Sequence, residues 1–537
     1  MPTIRRTTAC LSILGALALT GVSASAAAAQ SNPARITAEE RVAPRVVELT
    51  ISTPAFATPT KVDVDLPAGY DADPHRRWPV SYFLAGMQNT YKSFNNVVDG
   101  VGLTADYPSI VVSPNGDSGY WSDWYNAGAG GPPQYETYVI DQLIPLIDAH
   151  FRTIADRSHR LLAGVSMGGY GAMMFAARHP DLFSAVASIS GAVDSNLALN
   201  GLVLSVSPTL QGGKTDAIYG PRSTEEARWR GHNPTDLAAN LKSLDLQVRT
   251  ANGVLNTGIG ENPLSPDAVS CVVEKGVHDA SVSMHDTLDR LHLPHLWKDY
   301  GAGCHTVPNF KREITDTLTR FKQDLAHPAA PPKTFDYASI EPDFAVWGWR
   351  VTADPDRALE FLRLKGVGPT GGTFTGSGRT TVTTPPLFPG LRRVDVNGRA
   401  TAPDTQGRIR FTVDLGAADT GQEYRPGSTT KTTTRTVTFR PYARIVTSRV
   451  QATRRQVQVC ASSVGGRVTA HVHVTSAGGR RLARSTAVTL TSANTCRTLR
   501  RNRRSDRRAT VAISGRDRFG HRIAAQTAIR VPAPARG

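Results

Sequence analysis

The sequence predicts an open α/β sheet with helices on both faces, followed by two small β-rich domains, the last an Ig-like β-sandwich. Three observations carry this reading. Between residues 38 and 325, dense apolar runs of strand length alternate with stretches of helical period. A Pro-rich break follows at 326–333, after which the chain turns rich in Thr, Gly and Val. From 443 to the end, short alternating strands are separated by turns at the spacing of a sandwich. The chain is thus divided into 1–29, 38–325, the linker 326–333, 334–442 and 443–537.

Residues 1–29 have the composition of an export signal. Arg5 and Arg6 precede an apolar run at 10–22, and Ala24-Ser25-Ala26 offers a cleavage site. The apolar run is too short to span a bilayer, and no second hydrophobic segment of spanning length follows. A secreted, soluble product without a transmembrane segment is therefore expected.

Residues 45–52 and 61–66 alternate apolar and polar side chains, as half-buried antiparallel strands do. The runs 79–84 and 109–113 are denser, as expected of strands buried on both faces. In 134–151 the period becomes helical, with Val139, Leu143, Ile147 and Phe151 four apart. Further strands are read at 183–190, 246–249 and 295–300. A closing helix carries Phe310, Ile314, Leu318, Phe321 and Leu325 on one stripe. Residues 194–240 are irregular and are read as an insertion over the site. Beyond the linker, 379–384 and 431–439 are strand-like, as are 456–459, 467–474 and 509–513.

Of five cysteines, Cys10 leaves with the signal. Proximity and domain layout pair Cys271 with Cys304 and Cys460 with Cys496, which suits an oxidising compartment. Neither pair has zinc-ligand spacing, and no metal or cofactor is expected.

The net charge of +16 is concentrated at the C-terminal end. Residues 443–537 hold 20 Arg, no Lys, no Glu and only Asp506 and Asp517, so this segment alone is more basic than the whole chain. Seven arginines fall within 497–508. The planar guanidinium suits phosphate and carboxylate groups, so an anionic cell-envelope polymer is the expected partner, with a merely solvated loop as the plainer alternative. Export and the lack of a recognition motif argue against nucleic acid.

The chemistry centres on Gly164-Val165-Ser166-Met167-Gly168, where an apolar strand runs into an Ala- and Met-rich helix. In that context G-x-S-x-G is a nucleophile elbow, with the serine hydroxyl held out at the end of a sheet. The N–H of Met167 is then one oxyanion donor. A serine needs a base to take its proton, usually a histidine oriented by a carboxylate. Among the later histidines, His305 directly follows the last core strand, where an open α/β sheet carries its catalytic groups. His278, His285, His292 and His295 lie in or beside the preceding helical stretch. For the acid, Glu261, Asp267, Glu274, Asp279 and Asp286 all remain open on pattern alone.

Residues 118–125, 135–145, the elbow and Gly301-Ala-Gly-Cys-His305 together resemble the putative-esterase family of α/β-hydrolases. That family includes S-formylglutathione hydrolase (esterase D), feruloyl esterases and secreted mycolyltransferases. The resemblance covers about 45–325 and implies the α/β-hydrolase fold. Within it, Glu274 and Val277 match the family stretch that carries the triad acid, with Ser281 and Met284 standing where the family has Asn and Phe. The resemblance therefore implies Glu274 as the acid and the Met87 N–H as the second oxyanion donor. It also departs from the trehalose-mycolylating relatives, with Ala85 and Gln88 around the donor loop, and Val307 and Phe310 replace the aromatic pair after the histidine. Trp121, Asp123, Trp124 and Tyr125 are assigned to the substrate pocket.

The expected function is that of a secreted serine esterase, hydrolysing acyl or aryl esters through Ser166, His305 and Glu274 by way of an acyl-enzyme. Its substrate would be a small-molecule or envelope-linked ester. Two alternatives are an acyltransferase to a cell-envelope carbohydrate and a catalytically dead surface-binding protein.

Overall fold

The computed structural model describes residues 33–264, 268–453, 455–476, 479–501 and 508–530. The segment read as an export signal lies outside them.

Nine strands form one sheet: β1 (Arg35–Ala43), β2 (Val46–Ser52), β3 (Thr60–Asp65), β4 (Val80–Leu84), β5 (Ile110–Pro114), β6 (Arg160–Val165), β7 (Ala185–Ile189), β8 (Asp245–Thr250) and β9 (Leu296–Asp299). Their order is β1-β2-β3-β5-β4-β6-β7-β8-β9. The first four in space pair antiparallel, and β5-β4-β6-β7-β8-β9 pair parallel. Strands β4, β5, β6 and β7 are buried throughout, as apolar strands covered by helices on both faces must be. The elbow helix Met167–Arg178 packs with Leu162, Val186 and Val248 on one face. The closing helix Val307–Ala326 buries Ile314, Leu318 and Phe321 against Phe83, Val111 and Leu161 on the other. This is an α/β-hydrolase-like fold.

Two local readings change. Strands β2 and β3 are not half-exposed, because Glu48, Asp63 and Asp65 on the polar face are themselves buried. Lys61, Lys92 and Tyr91 satisfy Glu48, and Asn95 donates to Asp65 and Asp63 at 2.9 and 3.4 Å, so a following loop covers that face. The helix at 135–150 widens to a π-helical stretch over Tyr138–Leu143 before Ile144–His150. Pro145 has no N–H to offer the carbonyl four residues back, and the longer-range bond from Ile144 N to Val139 O takes up the slack.

The segment 335–441 forms a six-stranded and a four-stranded sheet around a shared core that includes Val346, Trp349 and Phe374. Residues 444–530 form a three-stranded and a four-stranded sheet around Val457, Val472 and Val511. The break at 326–333 does not isolate the first of these. Ile340 and Phe361 pack into the core of the large sheet, Tyr337 Oη donates to Arg178 O at 2.6 Å, and Ala338 N donates to Asn240 Oδ1 at 2.9 Å. Both disulfides are present, Cys271–Cys304 and Cys460–Cys496. No helix among the described residues is long and apolar enough to cross a membrane.

Candidate active site

The elbow is built by close backbone approach. A Cβ on Gly164 would sit 2.1 Å from Gly168 O, and one on Gly168 would sit 1.9 Å from Leu84 O, so neither position admits a side chain. Ser166 takes φ +61° and ψ −120°, a strained conformation for a non-glycine residue, and its N–H is held by Ile189 O at 2.9 Å. The strain is held by packing on every side and leaves the hydroxyl at the C-terminal end of β6, beneath a helix N-terminus.

His305 stands in the loop after β9. Its Nδ1 lies 2.7 Å from Glu274 Oε2, and its ring packs edge-on against Phe310 at 4.8 Å. Glu274 is fully buried on the long helix Ala268–Arg290. Its other oxygen accepts hydrogen bonds from Ser190 Oγ (2.6 Å), Ala251 N (2.9 Å) and Thr250 Oγ1 (3.3 Å). A carboxylate that accepts Nδ1–H leaves Nε2 as the basic nitrogen of the ring. Ser166 and His305 line the same cleft, and no hydrogen bond joins them. Among the described residues the Ser166 hydroxyl has no partner. Such contacts are often long in an unliganded site and tighten with substrate.

Met87, in the loop after β4, also lines this cleft, and Met167 is the first residue of the elbow helix. Neither backbone N–H has a hydrogen-bond partner among the described residues, as two waiting oxyanion donors require. The donor loop is tied down on both sides of Met87: Gln88 N donates to Asp117 O at 2.9 Å, and Asn89 Nδ2 donates to Met87 O at 3.2 Å.

The other candidate acids are accounted for separately. Glu261 is buried and accepts from Cys304 N and Thr306 Oγ1, both at 2.7 Å, and from Asn256 N at 2.7 Å. It grips the residues on either side of His305 without touching the imidazole. Asp279 pairs with Lys275 on the surface, Asp286 lines a separate polar depression, and Asp267 lies outside the described residues. The Cys271–Cys304 bridge ties the first turn of the acid-bearing helix to the residue before His305, and His305 N donates to Ser270 O at 3.1 Å.

A second buried carboxyl went unread in the sequence. Glu313 on the closing helix lies 3.2 and 3.3 Å from Ser190 Oγ, which also donates to Glu274, and it accepts from Asn309 Nδ2 at 3.1 Å. Burial, reinforced by the Glu274 charge, raises its pKa well above the usual carboxylate range. The protonated acid is thereby placed to donate to Ser190, which passes the hydrogen bond on to Glu274. A polar residue next to the apolar stripe of that helix was the only sequence signal.

The cleft holds about 320 Å³ and is lined mainly by Phe83, Phe94, Val97, Val98, Val273 and Phe310 around the Ser166 and His305 polar end. Its apolar lining reaches the surface, with Val97 and Val273 41% and 39% exposed. Trp121, Asp123, Trp124 and Tyr125, expected in the substrate pocket, do not line this cleft. Trp121 is a core residue whose Nε1 donates to Ala85 O at 3.3 Å, and Asp123 is tied to the Thr137 hydroxyl at 2.6 Å. Asp123, Trp124 and Tyr125 line a different, polar depression with Arg178 and His179. Aromatic side chains next to glycines were drawn into the core rather than into the cleft. The segment 194–240, read as an insertion over the site, forms the helices Ala198–Val206 and Arg222–His232, and none of its residues lines the cleft.

Residues 53–286 match the family model described as putative esterase. An esterase of Mycobacterium tuberculosis, Rv1288, is 34% identical over 200 residues, which is 36% of this chain and 43% of that one. The chain therefore spans less than half the length of that relative. The diacylglycerol acyltransferase/mycolyltransferase Ag85B of Mycobacterium leprae is 26% identical over 228 residues, 39% of this chain and 66% of its own. The crystal structure of Mycobacterium tuberculosis MPT51 is similar with a TM-score of 0.44 and 19% identity, covering 53% of this chain and 100% of that one.

Proposed function

We propose that this chain, through the segment resembling the putative-esterase family, is a serine esterase acting on carboxylic esters with an apolar acyl or aryl group. The observation that carries this reading is the buried Glu274 carboxylate on His305 Nδ1, with His305 in the same cleft as a strained Ser166 and the unpartnered Met87 N–H, and with the unpartnered Met167 N–H directly after Ser166. Ser166 Oγ attacks the ester carbonyl while His305 Nε2 takes its proton. Glu274 holds the imidazole in the Nδ1–H tautomer and offsets the charge of the imidazolium. The tetrahedral oxyanion is met by the Met87 and Met167 N–H groups, each contributing about 3–4 kcal/mol to the barrier reduction. His305 then returns the proton to the leaving alcohol. A water or second alcohol, deprotonated by the same nitrogen, releases the acid or the new ester from Ser166.

The apolar lining supports an acyl or aryl group in the cleft, with the polar leaving group toward solvent. A second reading, transfer to an alcohol acceptor on a carbohydrate, is favoured by the likeness to a mycolyltransferase and by the apolar side chains around the mouth. Both require the same nucleophile. A fluorophosphonate probe should label wild type and not Ser166→Ala, and a panel of esters graded in acyl length should show a clear optimum. Lack of labelling in the folded wild type would leave a surface-binding role without catalysis. Product analysis with and without a carbohydrate acceptor separates hydrolysis from transfer.

We further propose three units, 38–325, 334–442 and 443–537, with the last an Ig-like sandwich, and secretion directed by residues 1–29. The two disulfides fit an extracellular setting. Arg497, Arg500, Arg501 and Arg508 flank the rest of the arginine run, of which Arg503, Arg504 and Arg507 lie outside the described residues. Their density supports attachment to an anionic envelope polymer. Deleting 443–537 should spare hydrolysis of small esters and abolish retention on anionic surfaces. Unchanged retention would remove that partner.

A further inference from the structure

At the far end of the acid-bearing helix, His285 and Asp289 stand one turn apart, and the chain turns back through His292, at φ +54°, to bring up His295 just before β9. One ligand atom from each of His285, Asp289 and His295 lies within 4.8 Å of the others. We propose that these three residues bind one divalent transition cation of the zinc class, at a site separate from the reacting serine.

The ring nitrogens are arranged for it. His295 Nδ1 lies 2.9 Å from Leu293 O, and a carbonyl can only accept, so Nδ1 carries the proton and Nε2 presents a lone pair. That lone pair faces His285 Nδ1 at 2.7 Å. The His285 ring is fixed in turn by Trp297, which stacks on it at 4.5 Å with planes 1° apart. The outer nitrogen of His295 is thus held by a backbone carbonyl, as the outer partners of metal-binding histidines do, while the stacked indole restrains the plane of His285. Without a cation, one proton must sit between the two rings. If it is on His285 Nδ1 and that ring is neutral, the bare Nε2 faces Asp289 Oδ2 at 3.7 Å. A cation in place of the proton uses both inward lone pairs and draws in the carboxylate.

The fit needs a modest rearrangement. Zinc–nitrogen bonds of about 2.0–2.1 Å in a tetrahedral centre set neighbouring ligand atoms roughly 3.3 Å apart, so the two rings part by about half an ångström and each tilts by roughly 35° to turn its lone pair onto the ion. Asp289 is exposed and free to swing inward. Two imidazoles and one carboxylate suit zinc, nickel or copper(II) rather than magnesium or calcium, and water completes the shell. His285 lies 11 residues beyond Glu274, about 16 Å along the helix, which puts the cation outside the reaction and makes it a staple. It would join the last turns of the long helix to β9, where Cys271–Cys304 joins the first turn to the His305 loop.

The test is zinc titration of the chelator-stripped full-length protein, by calorimetry and by competition with a chromophoric chelator, with thermal melts in zinc and in magnesium. Wild type should bind one strong equivalent of zinc and melt at a higher temperature with zinc but not with magnesium. His295→Ala should lose that equivalent, and Asp289→Asn should weaken it about tenfold or more. Should His295→Ala fail to fold, His285→Gln and the exposed Asp289→Asn decide the matter. No saturable binding by wild type, or zinc affinity unchanged in these variants, overturns the site.

Discussion

Replacing Glu274 by Gln separates the role of the carboxylate from that of the fold. Its Oε1 accepts from Ser190 Oγ, Thr250 Oγ1 and Ala251 N. The two hydroxyls can reverse their hydrogen bonds, but the Ala251 N–H cannot. The side-chain amide introduced by Glu274→Gln is therefore fixed with its oxygen toward Ala251 and its NH₂ toward His305. Turning it around would set two N–H groups against each other inside the core, a cost of about 1–3 kcal/mol. With an NH₂ donor facing it, His305 Nδ1 must become the acceptor and Nε2 must hold the proton. The ring can then no longer take a proton from Ser166. In a serine-protease triad the same carboxylate-to-amide exchange lowers kcat by about ten-thousandfold, equivalent to about 5.4 kcal/mol of barrier. Stability should shift by no more than about 1–2 kcal/mol, since shape and most hydrogen bonds persist. Steady-state kinetics on a nitrophenyl ester, with a thermal melt of the same sample, read both quantities. A folded Glu274→Gln enzyme with kcat within tenfold of wild type would refute the assignment and point to Glu313 or Glu261.

Three further outcomes follow from the same geometry. Glu261→Gln turns a carboxylate that holds Cys304 N and Thr306 Oγ1 into a weaker acceptor, and kcat should fall about tenfold with KM little changed; a fall as large as that in Glu274→Gln would make Glu261 part of the triad itself. Cys271→Ser with Cys304→Ser opens a closed loop with a sequence separation of 33 residues, so stability should drop by about 3–4 kcal/mol on denaturant titration, with activity lost at lower denaturant than the far-ultraviolet signal. Burial pushes Asp65 up to about 7, so its folded pKa exceeds its unfolded one, and its contribution is full below about pH 4 and lost as pH rises toward 7. Asp65→Asn should accordingly gain stability relative to wild type across that window, by up to about 4 kcal/mol at its upper end, and a difference independent of pH would mean that Asp65 ionises normally.

The parts of this molecule that sequence exposes best are those set by backbone geometry and apolar period. The elbow could be read because Gly164 and Gly168 are required by contacts of about 2 Å that hold in any chain making this turn. The buried strands β4 to β7 and the stripe Ile314, Leu318 and Phe321 were legible because burial on both faces or on one stripe leaves an uninterrupted signal. What stayed hidden depends on long-range packing. Alternation in β2 and β3 implied a wet face, yet the loop carrying Tyr91, Lys92 and Asn95 supplies partners that let the carboxylates be buried. Trp121 and Trp124 carried an aromatic signal that could not separate core from cleft. Glu313 and Ser190 meet Glu274 only because β7, the long helix and the closing helix converge, which no local pattern records.

The central claim is that Ser166 becomes transiently acylated. Rapid-quench mass spectrometry after mixing enzyme with excess of a short-chain nitrophenyl ester tests it most directly. The expected result is a mass gain of one acyl group, mapped to the peptide containing Ser166, at a burst matching nitrophenol release, and absent from Ser166→Ala. Turnover by the wild type with Ser166 unmodified throughout, or equal turnover by Ser166→Ala, would contradict it.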